Sequence, residues 1–325
     1  MPLLVRSCCV PEVDVRSEMV VSARVRVLAG AAVLVLAGAF QVPVANAAAV
    51  EMCGGKPATI VGTAGNDTLN LTNGDDVVVA LAGDDLVRVV NGQTGGNDTI
   101  CLGDGNDRAL NPQANAGKTL RMFGEAGADT VNGRALAGGT IISDGGSGND
   151  QMRPIIGGPT LSLNTSFISG GPGNDTLALN NLQNANGVTL DGGDDNDTIT
   201  GSNNDQTING GSGDDTIFGD GPNAVLGRTA LDTISGGPGD DVIEGRSGAD
   251  YITGDAGNDR ICGDTVVAGP CLEAAGAGAD IMMGGAGDDI LDGGASVFGL
   301  LPGDTADGGI GTDTCLNVDI ASGCE

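Results

Sequence analysis

Residues 227–262 consist of four consecutive nine-residue units: GRTALDTIS, GGPGDDVIE, GRSGADYIT and GDAGNDRIC. The sixth position of each unit is an aspartate: Asp232, Asp241, Asp250 and Asp259. The eighth position is always an isoleucine: Ile234, Ile243, Ile252 and Ile261. The fourth position is glycine in the last three units. This strict period constrains the fold strongly, because a short unit repeated at a fixed spacing is the signature of a stacked repeat architecture.

The composition of one unit predicts a turn followed by a short strand. We expect the first six residues to form a tight turn, since repeated glycines permit positive φ and close approach of the backbone. The last three residues form a strand whose eighth-position side chain points inward, because side chains alternate along a strand. Two units then complete one coil with a turn on each side, and successive coils stack one strand spacing apart, roughly 4.8 Å.

The sixth-position carboxylates of stacked turns face a shared gap in this arrangement. Asp232 is expected to lie against Asp250, and Asp241 against Asp259. Two carboxylates this close repel each other unless a cation lies between them. Carbonyl oxygens of the turns supply further ligands, and a flexible site built only from oxygen suits Ca²⁺ better than Mg²⁺ or Zn²⁺. The repeats therefore predict several calcium ions bound between turns.

The composition narrows the class of protein. The chain of 325 residues carries a formal net charge of −29, 59 glycines and neither histidine nor tryptophan. A large acidic excess disfavours nucleic acid and anionic membranes as partners. An acidic, glycine-rich chain is also a candidate for disorder. The periodic Asp and Ile residues and a hydrophobic fraction of 40% argue against disorder.

Residues 1–47 have the pattern of a secretory signal peptide. Two arginines precede an apolar run over 27–40, and Ala-Asn-Ala at 45–47 supplies small residues for cleavage. The apolar run is too short for a membrane span. Met19 is a more typical start than the first methionine, so residues 1–18 are alternatively a mis-assigned start. We therefore expect a secreted, extracellular protein with no membrane span.

Six cysteines follow this segment: Cys53, Cys101, Cys262, Cys271, Cys315 and Cys324. An even number in a secreted chain favours disulfides, although six cysteines allow fifteen pairings. Chain order suggests that the first two, the middle two and the last two pair, and free buried thiols are the alternative. Zinc is disfavoured, because the chain has no histidine and no Cys-x-x-Cys motif.

Similar units begin at residue 62, after a segment 48–61 that we expect to form an N-terminal cap. Five units occupy 62–110, with a four-residue insertion after the third. Their sixth-position aspartates are Asp67, Asp76, Asp85, Asp98 and Asp107. Several of these units lack the first-position glycine, so their turns are expected to be less regular.

The period changes over 111–191. The motif recurs at 124, 145, 170 and 192, at spacings of 21, 25 and 22 residues. We expect wider coils, each with one calcium-type turn and one plain turn. Met122, Ile168 and Leu190 then continue the inward column. Ile142 falls one residue out of phase. A continuous ladder on one side is predicted: Asp107, Asp129, Asp150, Asp175, Asp197 and Asp215.

Regular units resume over 192–316. One unit, GSNNDQTIN, carries Gln206 at the sixth position and displaces Asp205, which predicts a weak site. Three later turns contain insertions, at 219–226, 263–274 and 296–301. Insertions in turns leave the strand register unchanged.

The stacked pairs are therefore expected to continue to the end of the repeats. They are Asp250 with Asp280, Asp259 with Asp289, Asp280 with Asp304, and Asp289 with Asp313. The segment 317–325 is expected to cap the C-terminal end, because the terminal units of a solenoid need a cap.

From Cys53 to Cys324 the chain resembles the secreted RTX-type, or haemolysin-type, calcium-binding repeat proteins of the stand-alone kind found in actinobacteria. The repeated nonad, the opening CGGKPATIVGTAGNDTL and the closing GGIGTDTC carry the resemblance. It implies an all-β, right-handed parallel β-roll or β-helix solenoid with Ca²⁺ between its turns, often disordered without calcium. The wider middle coils and Gln206 depart from the family pattern, which affects the expected occupancy of sites there.

Three functions from different classes are considered. The first is a non-catalytic calcium-binding solenoid that folds or is stabilised when it binds calcium. The second is an adhesin or envelope-associated module that contacts the cell envelope or an extracellular polymer through the inserted turns. The third is a carbohydrate-active β-helix enzyme with a groove in 111–191. Without histidine the chain has no Ser-His or Cys-His pair, and one Tyr and five Phe disfavour an aromatic-lined cleft. The sequence favours the first function and predicts no enzyme.

Overall fold

The nine-residue period folds into short strands joined by glycine-rich turns. The computed structural model describes residues 50–90, 95–136, 138–157, 165–179, 187–221, 230–266, 271–272, 278–294 and 303–325. The expected signal peptide, 1–47, lies outside these residues. The fold described below is that of the unit Glu51–Glu325.

Thirty strands lie within the described residues. In chain order they are β1 Met52–Cys53, β2 Lys56–Pro57, β3 Ile60–Val61, β4 Thr68–Leu71, β5 Val77–Val79, β6 Leu86–Val89, β7 Thr99–Asp104, β8 Arg108–Ala114, β9 Thr119–Ala126, β10 Thr130–Leu136, β11 Thr140–Asp144, β12 Gln151–Met152, β13 Ile155–Gly157, β14 Phe167–Pro172, β15 Thr176–Ala178, β16 Val188–Asp194, β17 Thr198–Thr200, β18 Gln206–Ser212, β19 Thr216–Phe218, β20 Thr233–Pro238, β21 Val242–Glu244, β22 Tyr251–Ala256, β23 Arg260–Cys262, β24 Thr265–Val266, β25 Cys271–Leu272, β26 Ile281–Ala286, β27 Ile290–Asp292, β28 Thr305–Ile310, β29 Thr314–Leu316 and β30 Ile320–Ser322.

Most of these strands form two parallel sheets of 13 strands each. The first sheet has the order β3-β5-β7-β9-β11-β14-β16-β18-β20-β22-β26-β28-β30. The second has the order β4-β6-β8-β10-β12-β15-β17-β19-β21-β23-β27-β29, with β13 also paired to β10. The chain passes from one sheet to the other at each turn, so each coil stacks on the coil before it. The predicted all-β parallel solenoid is confirmed.

The coil length varies as the spacing of the motif predicts. Asp232 and Asp250 occupy equivalent positions in stacked coils and are 18 residues apart. Asp107 and Asp129 are also equivalent and are 22 residues apart. The next steps along the middle coils are 21 and 25 residues. The extra residues lengthen strands, for example β9 with 8 residues and β10 with 7.

Inward side chains from both sheets form the core. Every eighth-position isoleucine of the four central units is 0% exposed. Burial of such a side chain stabilises the fold by about 1.5–3 kcal/mol. Equivalent residues of stacked coils make one continuous hydrophobic cluster from Leu71 to Ala306. The side-chain alternation inferred from the sequence is therefore confirmed.

The inward column continues through the wider coils with one polar member. Met122, Ile168 and Leu190 are each 0% exposed. Ser143 lies between Met122 and Ile168 in the register of the first sheet. Ile142 is therefore out of phase, as predicted, and Ile141 and Ser143 are the buried residues of β11.

The prediction of a six-residue turn in every unit is wrong on one side of the solenoid. Strands of the first sheet continue through the first three residues of the next unit, as in β20. Gly237 pairs there with Asp255, and Pro238 with Ala256. From β15 onward, strands of the second sheet have three residues, as in β21, and longer turns follow them. The reason is that backbone groups of the glycine-rich segment on the first side find partners in the neighbouring coil.

The N-terminal residues cover the outer face of the first sheet. Strands β1 and β2 form an antiparallel hairpin. Cys53 packs with Val77, Val79 and Cys101 in a second, smaller hydrophobic cluster. All three residues of β5 are consequently buried, although outward-facing positions of a strand normally meet solvent. At the other end, β30 pairs with β28 and adds one more strand to the sheet.

The three expected disulfides are present. Cys53–Cys101 and Cys262–Cys271 each join Cα atoms 5.8 Å apart, and the Cα atoms of Cys315–Cys324 are 5.7 Å apart. These distances lie within the usual range for a disulfide.

Removing the first disulfide is expected to destabilise the fold more than removing the second. Cys53 and Cys101 are 48 residues apart, and Cys262 and Cys271 are 9 apart. Loop-closure entropy predicts losses of about 4 and about 3 kcal/mol for the two alanine pairs. Guanidinium unfolding in saturating calcium measures both, and the second pair is the control because its cysteines are equally buried. A larger loss for the second pair would contradict this assignment.

Candidate metal centre

The sixth-position aspartates of stacked turns are joined by hydrogen bonds. The backbone N–H of each aspartate donates to Oδ1 of the equivalent aspartate in the next coil. Examples are Asp232 to Asp250 at 2.9 Å and Asp241 to Asp259 at 2.9 Å. The pairings predicted for these residues and for Asp280, Asp289 and Asp313 are confirmed. We call such a column of residues a ladder.

Two ladders run along the unit, one on each side. The first ladder contains Asp67, Asp85, Asp107, Asp129, Asp150, Asp175, Asp197, Asp215, Asp241, Asp259, Asp289 and Asp313. The second contains Asp76 and Asp98, then resumes after the wider coils with Gln206, Asp232, Asp250, Asp280 and Asp304. The predicted ladder from Asp107 to Asp215 is thus confirmed and is part of a longer one.

The second carboxylate oxygen of most ladder aspartates is buried and has no hydrogen-bond partner among the described residues. This holds for Oδ2 of Asp85, Asp98, Asp107, Asp129, Asp150, Asp175, Asp197, Asp215, Asp232, Asp241, Asp250, Asp259, Asp280, Asp289 and Asp313. Buried polar atoms are nearly always hydrogen-bonded in proteins. A regular series of such oxygens therefore indicates ligands for a cation.

Burial also raises the pKa of several of these carboxyl groups. It raises the pKa of Asp98 to about 6. It raises the pKa of Asp129 and Asp175 to about 7, and of Asp197 and Asp280 to about 8. Neighbouring ladder carboxylates add repulsion, and the backbone N–H that bonds Oδ1 partly opposes the shift. The two ion pairs within the described residues, Lys118–Asp75 and Arg246–Glu244, lie outside the ladders.

In the units that carry it, glycine at the first position leaves room beside Oδ2. A Cβ added to Gly245 would lie 2.6 Å from Oδ2 of Asp250 and 2.5 Å from the carbonyl oxygen of Gly263 in the next coil. A Cβ on Gly293 would lie 2.6 Å from Oδ2 of Asp304 and 2.6 Å from the carbonyl oxygen of Asn317. A carboxylate oxygen and a carbonyl oxygen of adjacent coils thus converge on one space.

This donor set fits calcium. Within the described part of the chain no group of three or more His, Cys, Asp or Glu side chains is placed to hold one metal ion. The backbone carbonyls beside the first-position glycines are neutral oxygen donors that complement the ladder carboxylates. Ca²⁺ accepts carboxylate and carbonyl oxygens in flexible geometry, whereas Mg²⁺ demands a near-ideal octahedron and Zn²⁺ prefers nitrogen and sulfur.

The model of the RTX calcium-binding nonapeptide repeat, which comprises four copies, matches residues 58–87, 94–109, 166–181, 191–221, 227–264 and 274–296. The chain is an RTX-type calcium-binding repeat protein. These repeats bind multiple Ca²⁺ ions, and the two ladders lie largely within the matched segments. No curated protein matches the chain as a relative. No helix in the described residues is long and apolar enough to cross a membrane.

The RTX repeats contain a further, exposed ladder that sequence reasoning missed. The fifth-position side chains accept backbone N–H groups from the equivalent residue of an adjacent coil. Examples are Asp214 N–H to Asn196 Oδ1 at 3.1 Å and Asp240 N–H to Asp214 Oδ1 at 2.9 Å. The displaced Asp205 belongs to this ladder and accepts from Leu231. The frequent Asn or Asp before each sixth-position aspartate was the available signal.

A buried aspartate outside both ladders was also missed. Asp220 is 0% exposed and is the second residue of the first inserted turn. Its Oδ2 accepts the N–H of Ser247, and its carbonyl oxygen accepts Arg246 Nη1 at 2.7 Å. Arg246 also lies 4.2 Å from the ring centre of Phe218 and bonds Glu244. These contacts fix the start of the insertion, and the sequence signal was weak, because Asp255 also stands at the second position of a unit.

Proposed function

We propose that this RTX-type protein is a secreted, non-catalytic calcium-binding solenoid that is stabilised, or folded, by calcium bound between its stacked turns. The single observation that carries the proposal is the series of fifteen buried Oδ2 atoms that have no hydrogen-bond partner in the described part of the chain. The ladder aspartates that carry these Oδ2 atoms and the turn carbonyls beside the first-position glycines would hold the ions.

The stabilisation follows from the cost of the metal-free state. Each coil buries carboxylates whose charge is disfavoured by lost hydration. The net charge of −29 adds repulsion along the whole chain. A bound ion stabilises the folded state by about 2.7 kcal/mol per site at a hundredfold excess over Kd, because it binds the stacked turns and not the unfolded chain. Because several such sites lie in one solenoid, its folding depends steeply on the calcium concentration.

Secretion belongs to the same proposal. It is supported by the signal-peptide pattern of residues 1–47 and by three disulfides, which persist in oxidising compartments. Extracellular calcium modules bind with Kd of about 10⁻⁴ to 10⁻³ M, so their sites are filled outside the cell and empty in a calcium-poor cytoplasm. Fractionation of expressing cells tests this part, and full-length protein retained in the cytoplasm would contradict it.

Substituting one ladder aspartate is expected to weaken calcium-dependent folding. Asp241→Asn removes the negative charge of a carboxylate whose buried Oδ2 has no hydrogen-bond partner among the described residues. The calcium midpoint of folding should therefore rise, and at least one bound ion should be lost. Asp240→Asn is the matched control, because Asp240 is exposed and carries the same charge one residue away. Calorimetric calcium titration measures both variants. Equal midpoints for the two would contradict a ligand role for Asp241.

The other two functions gain no specific support. The inserted turns expected of an adhesin fall partly at 222–229, 267–270, 273–277 and 295–302, outside the described residues. The expected enzyme groove falls in the middle coils. A polar groove of about 620 Å³ on the first sheet overlaps the end of this range, 111–191, at Gly171, Pro172 and Asp191. Its carboxylates Asp191, Asp194 and Asp255 each accept a side-chain hydrogen bond from Asn209, Ser212 or Ser235. These hydrogen bonds give the three carboxylates a structural role.

A further inference from the structure

The turns differ in the conformation of their second residue. In most coils this residue has positive φ, including Gly193 at 125°, Gly211 at 115° and Gly237 at 116°. Residues with a side chain adopt it too, and they are Leu81, Glu125, Arg246 and Asp255, with φ of 85°, 76°, 79° and 75°. Non-glycine residues rarely adopt this conformation. Its recurrence at one position indicates that these turns share a backbone arrangement that leaves Oδ2 without an N–H donor.

Two turns at the N-terminal end have a different arrangement. Thr63 and Thr72 occupy the second position and are not among the residues with positive φ. The N–H of Thr63 donates to Oδ2 of Asp67 at 2.5 Å, and its hydroxyl donates to the same oxygen at 2.8 Å. Thr72 bonds Oδ2 of Asp76 in the same way, at 2.7 Å from its N–H and 3.0 Å from its hydroxyl.

A third turn, in the middle of the chain, repeats this arrangement with different residues. Ser202 occupies the second position, and its N–H donates to Oε1 of Gln206 at 2.9 Å. The amide Nε2 of Gln206 donates to the hydroxyl oxygen of Ser202 at 2.9 Å. The sixth-position oxygen is again bonded from within its own turn. We call these three turns, Thr63–Asp67, Thr72–Asp76 and Ser202–Gln206, the closed turns.

Each closed turn begins a ladder. Asp67 is the first residue of the first ladder, and Asp76 is the first residue of the second. Gln206 is the residue at which the second ladder resumes after the wider coils. Three different sequences thus adopt the same arrangement at the only three places where a ladder starts in the described residues.

We propose that the closed turns bind no calcium and serve as calcium-independent first layers on which the calcium-dependent turns stack. This inference rests on the proposed function. The oxygen that elsewhere is buried without a donor is here occupied by a backbone N–H and a polar side chain. An N–H aimed at the site repels a cation, whereas a bare carboxylate attracts it. Asp67 and Asp76 were expected from the sequence to be calcium ligands, but here they accept hydrogen bonds within their own turns. Gln206 was expected to mark a weak calcium site, and it lies instead in a closed turn.

The first test compares calcium stoichiometry in full-chain variants. Asp76→Asn is expected to bind as many ions as wild type, because the closed turn holds none. Asp215→Asn, in an ordinary turn with an unpartnered Oδ2, is expected to lose at least one ion. Equilibrium dialysis at saturating calcium, followed by elemental analysis, gives both counts. A loss in Asp76→Asn equal to that in Asp215→Asn overturns the inference and leaves the proposed function standing.

The second test converts a closed turn into an ordinary one. The double variant Ser202→Gly and Gln206→Asp restores the glycine and aspartate of the regular units, and it is expected to bind one ion more than wild type. A β-sheet circular dichroism spectrum in calcium verifies its folding. An unchanged count in the folded variant overturns the inference. If Asp215→Asn also binds as many ions as wild type, the ladders hold no calcium, and the proposed function fails together with the inference.

Discussion

In calcium-free buffer, the folded chain is expected to be more stable at about pH 5.5 than at about pH 8.5. Burial raises the pKa of many ladder carboxyl groups, to about 6 at Asp150, about 7 at Asp241 and about 8 at Asp197. An aspartate in an unfolded chain has a pKa of about 3.9. The folded metal-free chain therefore binds more protons than the unfolded chain between these values. This contribution is fully present below about pH 4 and is lost as pH rises through about 6 to 8.

The same groups reverse the dependence when calcium is bound. Protons compete with the ion for Oδ2, so the calcium midpoint of folding should rise as pH falls through the same range. Thermal unfolding in EGTA and in saturating calcium, at several pH values, measures both effects. A metal-free chain that gains stability from about pH 5.5 to about pH 8.5 would contradict the account of the ladders.

Replacing Gly245 by alanine is expected to remove a calcium site and destabilise the fold. The added methyl group would lie 2.5 Å from the Gly263 carbonyl oxygen and 2.6 Å from Oδ2 of Asp250, so it occupies the space on which the donors converge. Overpacking of this kind typically costs about 1–3 kcal/mol. Loss of an ion at a hundredfold excess over Kd removes about 2.7 kcal/mol more.

Gly65→Ala is the matched control for this prediction. A Cβ on Gly65 meets nothing within 4 Å, and its φ is not positive. It should leave both calcium stoichiometry and stability nearly unchanged. Denaturant unfolding with and without calcium separates the two contributions in Gly245→Ala, because only the ion-dependent part disappears in EGTA. A Gly245→Ala variant with wild-type calcium stoichiometry would show that this space is not a metal site.

The strict period made much of the fold predictable. A side chain such as Ile243 repeats every coil, so its inward direction and its partner in the next coil follow from spacing alone. The ladder pairing of Asp250 with Asp280 was predictable across an insertion, because a turn absorbs extra residues without shifting strand register. Ile142 was recognisably out of phase for the same reason.

Other features depend on long-range contacts that the nine-residue repeat does not encode. Val77 and Val79 face outward by alternation, yet both are buried because the N-terminal hairpin and Cys53 cover them. Position in the chain does not reveal such long-range packing. The strands of the first sheet extend into the glycine-rich segment because Gly237 finds a partner in the next coil. A propensity argument assigns glycine to turns and misses this pairing.

The sequence predicts which type of residue occupies each candidate site, but not how the carboxylate of each aspartate is hydrogen-bonded. Asp67 and Asp215 occupy the same position of the same motif, but only Oδ2 of Asp215 lacks a hydrogen-bond partner. The difference comes from the conformation of the second residue of the turn, where Thr63 and Gly211 differ in φ. Glycine at that position is a sequence signal for the arrangement that leaves Oδ2 bare. Leu81 and Glu125 adopt it without that signal, so the residue type at this position does not settle the conformation.

A calcium titration of residues 48–325 from EGTA, followed by far-ultraviolet circular dichroism with magnesium as the control, tests the central claim most directly. The account predicts a cooperative gain of β-sheet signal or of thermal stability with calcium and no comparable effect of magnesium. A spectrum and melting temperature that are the same in EGTA and in calcium would contradict it. The solenoid would then be stabilised by its buried isoleucine columns and its disulfides alone.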